Sequence, residues 1–310
     1  MRGSNGCSFA FVHSDIKSEG SDNMKNIVML GCENSHVNTF LNIMKEDPDK
    51  YRDINVIGVY SEDGEAMQKV ADTFGVPAMR SYDEAVGKVD GIVVTARHGG
   101  KHYQYAKPYI ESGVPMFIDK PITVDEQEAV DFMRECRESG VRLTGGSCCK
   151  YARELADIKE KIAPSEIRGG FVRAPINMQN PYGDFFFYSQ HLVEMLGELF
   201  GLYPHAVQAY RAGNTVNVVF RYESYDVIGL YTEFSNHYFV SVALGGATLA
   251  SDASIGKDCF VRELDEFCEL LRGGEQKHSY DDFISPVALL CAIDRSLASG
   301  REEPVHTLEV

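Results

Sequence analysis

The sequence predicts an α/β protein in which a doubly wound parallel sheet is followed by an open, mostly antiparallel sheet. From residue 24 to about residue 150, short apolar strands alternate with segments of helical periodicity. After that point, four strand-like runs follow one another with short turns between them. A chain of 310 residues is also long enough to form two domains.

The N-terminal half has the short connections of a parallel sheet with right-handed crossovers. Its strands are nearly all apolar, as expected when helices cover both faces of a sheet. Strands are predicted at residues 27–30, 54–60, 91–95, 115–118 and 141–144. Helices are predicted between them: one capped by Ser35, one at 66–74, a short one opening at 81–84, and two at 103–112 and 125–138.

The C-terminal half is predicted as a second α/β domain over residues 151–310, and the first domain as residues 24–122, closed by residues 123–150. Further strands are predicted at residues 166–174, 206–212, 215–222, 227–234 and 238–244. Helices are predicted at 152–162, in the second half of 185–199, at 258–271 and at 286–298. Residues 1–23 are rich in small polar residues and are expected to form an extension or tag without ordered structure.

Composition excludes several classes of partner. Asp and Glu outnumber Lys and Arg by 46 to 30, which gives a formal net charge of −16 and disfavours nucleic acid. No apolar run is long enough to span a bilayer, so no membrane is expected as a partner. The eight cysteines form no Cys-x-x-Cys pair, which favours reduced thiols and a cytoplasmic location. No His, Cys and Asp residues have the spacing of metal ligands, so no metal is expected.

The first strand runs into a turn at Gly31, which is followed by the opening of a helix. An apolar strand, a glycine turn and a helix are typical of the start of a dinucleotide-binding domain. Glu33 and His36 stand where the complete pattern has its second and third glycines. The free backbone N–H groups of the helix still attract phosphate, whereas a Glu33 carboxylate facing the diphosphate would repel it.

A second motif, Asp119-Lys120-Pro121, ends the fourth strand. Further along the chain, residues 190–196 read Gln-His-Leu-Val-Glu-Met-Leu. Near the end, residues 292–296 read Ala-Ile-Asp-Arg-Ser and residues 299–301 read Ser-Gly-Arg. Together these features resemble the glucose–fructose oxidoreductase, inositol dehydrogenase and MocA (Gfo/Idh/MocA) family, from Met24 to nearly the end of the chain. The resemblance implies a Rossmann domain that binds NAD or NADP and a second domain that binds substrate.

The same resemblance implies an oxidoreductase that transfers hydride between nicotinamide and a secondary alcohol or ketone of a sugar- or polyol-like substrate. Lys120 would hydrogen-bond the substrate oxygen, and His191 would act as the acid/base group. Many relatives have Asp four residues before this His, where this chain has Phe187. Tyr188 is the substitute catalytic candidate, and its alternative is a core aromatic beside residues 185–187.

The cofactor contacts follow the ends of the predicted strands. Ser61 stands where NAD-specific relatives have Asp, and Glu62 and Asp63 follow with no Arg or Lys next to them. Two carboxylates disfavour a 2′-phosphate, so NAD is weakly preferred over NADP, unless both are solvated turn residues. The predicted cofactor-binding residues are Gly31, Glu33, Asn34, Ser35, His36, Ser61, Glu62, Thr95, Arg97, His102, Asp119 and Lys120.

The loop at residues 97–102 is basic and contains Gly99 and Gly100, so it could bind a phosphate or an anionic substrate, or simply be solvated. The altered positions Glu33 and Phe187 also support a different hypothesis. In that hypothesis the protein is a non-catalytic family member that binds or senses a small molecule. An open sheet with one uncovered face favours a homodimer or homotetramer in either case.

Overall fold

The computed structural model describes residues 24–163 and 166–310, so the prediction for residues 1–23 lies outside the described chain. The N-terminal sheet has five parallel strands in the order β2-β1-β3-β4-β5. An isolated parallel bridge between Val59 and Ala78 extends it beyond β2, which gives the strand order of a Rossmann sheet. The strands are β1 (Lys25–Leu30), β2 (Ile54–Tyr60), β3 (Gly91–Val94), β4 (Met116–Asp119) and β5 (Leu143–Gly146).

The helices of this half are α1 (Ser35–Glu46), α2 (Gly64–Phe74), α3 (His102–Ile110) and α4 (Glu126–Glu138). The cap of α1 is Asn34 rather than the predicted Ser35, because the Asn34 side chain accepts the backbone N–H of His36. The prediction of a short helix that begins at residues 81–84 is wrong, because residues 82–87 form turns. There the Glu84 carboxylate accepts the Arg80 N–H and Ser81 donates to Asp83, local bonds that compete with a helix.

The C-terminal sheet has seven strands in the order β11-β10-β6-β9-β8-β7-β12. Only the central pair β6–β9 is parallel, so the predicted fold class is confirmed. Strands β11 and β12 were not predicted from the sequence. The strands are β6 (Ile167–Pro175), β7 (Ala206–Ala212), β8 (Thr215–Arg221), β9 (Asp226–Thr232), β10 (Tyr238–Leu244), β11 (Thr248–Ala253) and β12 (Glu302–Pro304).

The remaining helices are α5 (Arg153–Lys159), α6 (Phe185–Phe200), α7 (Lys257–Leu271) and α8 (Tyr280–Ser299). The whole of 185–200 is helical, not only its second half. Helix α8 begins before the predicted residue 286, because Ser279 and Asp282 form a reciprocal capping box at its start. No helix among the described residues is long and apolar enough to cross a membrane.

Two helices from the C-terminal half pack against the N-terminal one. Helix α7 places Leu264 and Phe267 in the cluster that contains Phe117 of β4, and the rings of Phe117 and Phe267 lie 6.4 Å apart edge to face. Helix α8 packs on α4 and also on α6 and β7. The two sheets are therefore joined by shared helices, and the carboxyl edge of the first sheet faces α6 of the second half.

Candidate active site

The Gly31 turn lies in close contact with the end of β3. Gly31 has φ +88°, and a side chain there would place Cβ 2.1 Å from the Ala96 nitrogen. The neighbouring Thr95 donates its N–H to the Leu30 carbonyl at 2.7 Å and its hydroxyl to the Gly31 carbonyl at 3.2 Å. Because residue 31 has no side chain, the N-terminus of α1 can lie close to the edge of the sheet. A Rossmann nucleotide site requires this arrangement.

Asp119 is fully buried and ties the end of β4 to this turn. Its Oδ2 accepts the side-chain N–H of Asn34 at 2.9 Å, and its Oδ1 accepts the backbone N–H of Lys120 at 2.8 Å. The same Oδ2 lies 3.3 Å from Nδ1 of His36. Asp119 therefore orients residues of the turn and of the lysine motif, and Ser35 begins α1 beside them.

The Glu33 carboxylate is held between two strand ends. One oxygen accepts the Ser61 hydroxyl at 2.7 Å, and the other accepts the Arg97 backbone N–H at 3.0 Å. The side chain therefore extends to the end of β2, where an acidic residue meets the adenosine ribose in NAD-binding Rossmann domains. Glu33 thus places a carboxylate at the end of β2, next to Ser61.

Two other predicted cofactor residues have different surroundings from those expected. Glu62 has a cation beside it, because Lys101 Nζ lies 3.0 Å from its carboxylate, so the sequence argument for NAD from unpaired carboxylates is wrong. His102 is fully buried, and its ring nitrogens lie 2.7 Å from the Pro121 carbonyl and 2.8 Å from the Ala96 carbonyl. The ring has no nitrogen left for a cofactor and instead ties the loop after β3 to the lysine motif.

Lys120 and the start of α6 meet across the two halves. Lys120 Nζ donates to the Phe187 carbonyl at 2.8 Å and lies 4.8 Å from the centre of the Phe187 ring and 5.2 Å from that of Tyr188. The residue in the place of the usual Asp thus contributes a backbone oxygen and an aromatic face. An ammonium has three donors, so the remaining N–H groups of Lys120 can face a ligand.

His191 lies one turn further along α6. Its Nδ1 is 2.6 Å from Ser147 Oγ and 3.4 Å from Cys149 Sγ, and its ring contacts the Tyr188 ring edge to face. Ser147 Oγ also accepts the Cys149 N–H. In the tautomer that carries its proton on Nδ1, the His191 ring donates to Ser147 and Nε2 is the basic nitrogen. Burial, followed by the positive charge of Lys120, holds the pKa of His191 well below its ordinary value.

Lys120, Tyr188 and His191 line one cavity of about 430 Å³ at the junction of the two halves. Arg97 also reaches across this junction, because its guanidinium donates to the Tyr182 hydroxyl at 2.8 Å. The cavity is lined by Asn34, Ser35, His36, Arg97, Lys120, Cys148, Asn177, Tyr182, Phe187, Tyr188, His191, Tyr238, Ile255 and Phe260. It therefore brings together the three predicted catalytic residues and several of the predicted cofactor residues.

The sequence did not identify Ser147, Cys148, Tyr182 or Tyr238 as part of this site. Ser147 and Cys148 directly follow β5, and the rule that parallel strands place ligand groups at their carboxyl ends could have found them. Tyr182 and Tyr238 come from a loop and from an antiparallel strand, and no local pattern marks them.

Residues 25–147 match the model of the GFO_IDH_MocA family, described as an oxidoreductase family with an NAD-binding Rossmann fold. A candidate UDP-kanosamine synthase oxidoreductase subunit of Amycolatopsis mediterranei is 22% identical over 129 residues, 40% of this chain. That match spans only 36% of the relative's own length. The predicted family resemblance is thereby confirmed, and the match covers the Rossmann part of the chain, residues 25–147.

Solved structures extend the likeness over both sheets. GenD2 from gentamicin A biosynthesis, crystallised with NAD, superposes with a TM-score of 0.76 at 16% identity and covers 94% of this chain and 99% of its own. The scyllo-inositol dehydrogenase of Lactobacillus casei, crystallised with NAD(H) and scyllo-inositol, gives a TM-score of 0.78 at 13% identity, with 91% and 99% covered. At identities this low, the superpositions establish a shared fold and nothing more.

Proposed function

We propose that the protein is a nicotinamide-dependent oxidoreductase acting on a secondary alcohol or ketone of a polyol- or sugar-like substrate. The observation that carries the proposal is that Lys120 and His191 line the same cavity, at the carboxyl edge of the Rossmann sheet. The nucleotide would be held by the Gly31 turn, the N-terminus of α1 and Glu33. When bound, the nicotinamide supplies the hydride acceptor or donor.

Lys120 and His191 have separate tasks in this proposal. Lys120 donates a hydrogen bond to the substrate oxygen, which stabilises the negative charge that develops on it during oxidation. His191 is neutral because of its lowered pKa, so Nε2 can accept the hydroxyl proton. Ser147 holds the ring orientation through Nδ1. In the reverse direction, protonated His191 returns the proton to the oxygen.

The lining of the cavity suits an uncharged polyhydroxy ring. Tyr182, Phe187, Tyr188 and Tyr238 offer aromatic faces, and Asn177 offers an amide that can both donate and accept. The scyllo-inositol present in the Lactobacillus casei structure belongs to this chemical class. Inositols and cyclic sugars are therefore the first substrates to test.

NAD is the cofactor that we propose over NADP. The Glu33 carboxylate, anchored to Ser61 at the end of β2, can accept hydrogen bonds from a ribose diol but repels a 2′-phosphate. This reason replaces the argument from Glu62, which is paired with Lys101.

The test begins with separate titrations of the purified protein with NADH and NADPH, followed by calorimetry. We expect micromolar binding of NADH and weaker binding of NADPH. A panel of inositols and sugars is then assayed with NAD. Lys120→Ala should lower kcat by about 100-fold or more while NADH affinity changes only a few-fold, because Lys120 acts on the substrate oxygen. Lys159→Ala, which removes a surface lysine paired with Glu198, is the matched control and should leave kcat unchanged.

A non-catalytic binding protein is the second candidate, and the anchored Glu33 favours it. Its carboxylate occupies the space between the Gly31 turn and β2, so it restricts the cleft in which a dinucleotide would lie. A folded protein that binds neither NADH, NADPH nor their oxidised forms would overturn the enzyme proposal. Such a result would direct attention to ligands that occupy the cavity alone.

A further inference from the structure

A cluster of three donor side chains lies directly beneath the cavity. His36 comes from α1, Cys148 from the short 3-10 helix after β5, and Glu263 from α7. One atom of each, a ring nitrogen, the sulfur and a carboxylate oxygen, lies within 4.8 Å of the other two. No metal site was expected from the sequence, because these residues belong to three distant segments and have no local ligand spacing.

The burial of this cluster requires an explanation. Glu263 is completely buried, and neither of its oxygens has a hydrogen-bond partner within residues 24–163 and 166–310. The two ring nitrogens of His36 also lack hydrogen bonds of normal geometry in that range. The His36 ring is the charged or polar partner nearest to Glu263, at 3.5 Å, and this contact lacks hydrogen-bond geometry. Buried carboxylates are normally hydrogen-bonded, paired or bound to a metal ion.

The separations suit a small tetrahedral ion. Zinc binds nitrogen and oxygen at about 2.0–2.1 Å and thiolate sulfur at about 2.3 Å, which places its ligand atoms roughly 3.3–3.8 Å apart. His36 Nε2 and Glu263 Oε2 are 3.5 Å apart and fall within this range. The limit of 4.8 Å for the whole set leaves about 1 Å of closure to side-chain rotation.

The surrounding groups match those of known zinc sites. A histidine that binds zinc through one nitrogen usually donates its other N–H to a carboxylate, and Nδ1 of His36 lies 3.3 Å from Asp119. A thiolate and a carboxylate together carry two negative charges and balance one divalent ion. His36 and Cys148 also line the cavity, which gives an ion a route from solvent and leaves the fourth ligand position open.

We infer that His36, Cys148 and Glu263 bind one zinc ion at the floor of the cavity. The competing description is a protonated His36 held between Asp119 and Glu263. That arrangement leaves one Glu263 oxygen without a hydrogen-bond partner among the described residues. The inference does not depend on the proposed function, because zinc binding is measured without cofactor or substrate.

The test uses the full-length protein, stripped with a chelator and then equilibrated with zinc. Elemental analysis after desalting should give about one zinc per chain. Cobalt substituted for zinc should give a near-ultraviolet thiolate charge-transfer band and the intense visible bands of tetrahedral cobalt. Cys148→Ser should abolish the charge-transfer band. Cys149→Ser, the matched control at the neighbouring buried cysteine, should retain it.

A second measurement tests the inference even if Cys148→Ser does not fold. Zinc added to the stripped wild-type protein should raise its Tm, because a ligand that binds only the folded state stabilises it. Glu263→Gln should weaken zinc binding at least 10-fold, because it removes an anionic ligand. Two results would overturn the inference. One is a zinc content below about 0.1 per chain after the stripped protein has been mixed with about one equivalent of zinc and desalted. The other is a charge-transfer band that persists in Cys148→Ser.

Discussion

The carboxylate of Glu33 connects the end of β2 with the loop after β3, through Ser61 and the Arg97 N–H. We propose that its negative charge favours a ribose diol over a 2′-phosphate at this position. Glu33→Gln removes the charge while keeping a side chain of the same shape. We expect the ratio of NADPH to NADH affinity to rise about 10-fold, an effect of about 1.4 kcal/mol.

Calorimetric titration of both cofactors against wild type and Glu33→Gln provides the measurement. Glu135→Gln is the control, because Glu135 pairs with Lys107 on the exposed surface of α4 and is not among the predicted cofactor-binding residues. A ratio that stays constant in Glu33→Gln would show that the carboxylate does not face the ribose.

The lowered pKa of His191 predicts the pH dependence of oxidation. The base form is the neutral ring, so activity is lost only when pH falls through the pKa of the folded protein, which lies below the ordinary 6.5. We therefore expect kcat/KM for alcohol oxidation to be flat near pH 6.5 and to decline at more acidic pH. An acid limb centred at or above 6.5 would contradict the role of His191.

The positive charge of Lys120 contributes to this low pKa. Lys120→Met should therefore raise the pKa of His191, and NMR titration of histidine-labelled protein can follow this shift even where turnover is lost. Lys159→Met, at the exposed pair with Glu198, should leave the titration unchanged.

Some site residues could be predicted from the sequence because each belongs to a short local motif. Lys120 follows a buried strand inside Asp-Lys-Pro, and His191 lies within a recognisable helix. The direction of Glu33 could not be predicted, because it depends on Ser61 and Arg97 from two other strand ends. The grouping of His36 with Glu263 was equally out of reach, because only the packing of α7 brings them together.

At the level of single elements, the turn between β1 and α1 accepts only glycine at residue 31. Gly31→Ala should cost about 1–2 kcal/mol for the positive φ and a further 1–3 kcal/mol for overlap with the backbone of Ala96. Gly75→Ala is the matched control, since Gly75 also has positive φ but nothing lies within 4 Å of its added Cβ. Urea denaturation should show the larger loss in Gly31→Ala, and equal losses would contradict the close contact.

The elements that the sequence missed depend on partners distant in the chain. Strand β12 has only three residues and exists through its pairing with β7. Helix α8 was predicted from residue 286, yet it begins at Tyr280, because Phe283 and Ile284 are buried and Ser279 forms a capping box. The alternating strands β7 to β10 were predicted well, because one face of each is buried and the pattern of period two records it.

At the scale of the whole molecule, one face of the C-terminal sheet presents apolar side chains that no helix of the described residues covers. Phe171 of β6, Ile228 of β9 and Val219 of β8 lie in register on that face, and each is at least partly exposed. We expect this face to pair with a second copy of the chain. A homodimer or homotetramer is therefore still the predicted oligomeric state.

Light scattering coupled to size-exclusion chromatography measures the assembly. Ile228→Lys should convert the oligomer to smaller species, because it places a charge in the centre of the face. Val86→Lys, at a similarly exposed apolar residue of the first domain, should not change the mass. A monomeric wild-type protein at micromolar concentration would contradict the prediction.

The packing of α7 and α8 on the N-terminal sheet has a consequence for how the chain is made. Phe117 of β4 is covered by Phe267, which the ribosome adds 150 residues later, and α4 is covered by α8. During synthesis the N-terminal half therefore exposes apolar surface until nearly the whole chain has emerged. A nascent chain stopped before α7 should depend on chaperones, and the two halves are expected to complete folding together.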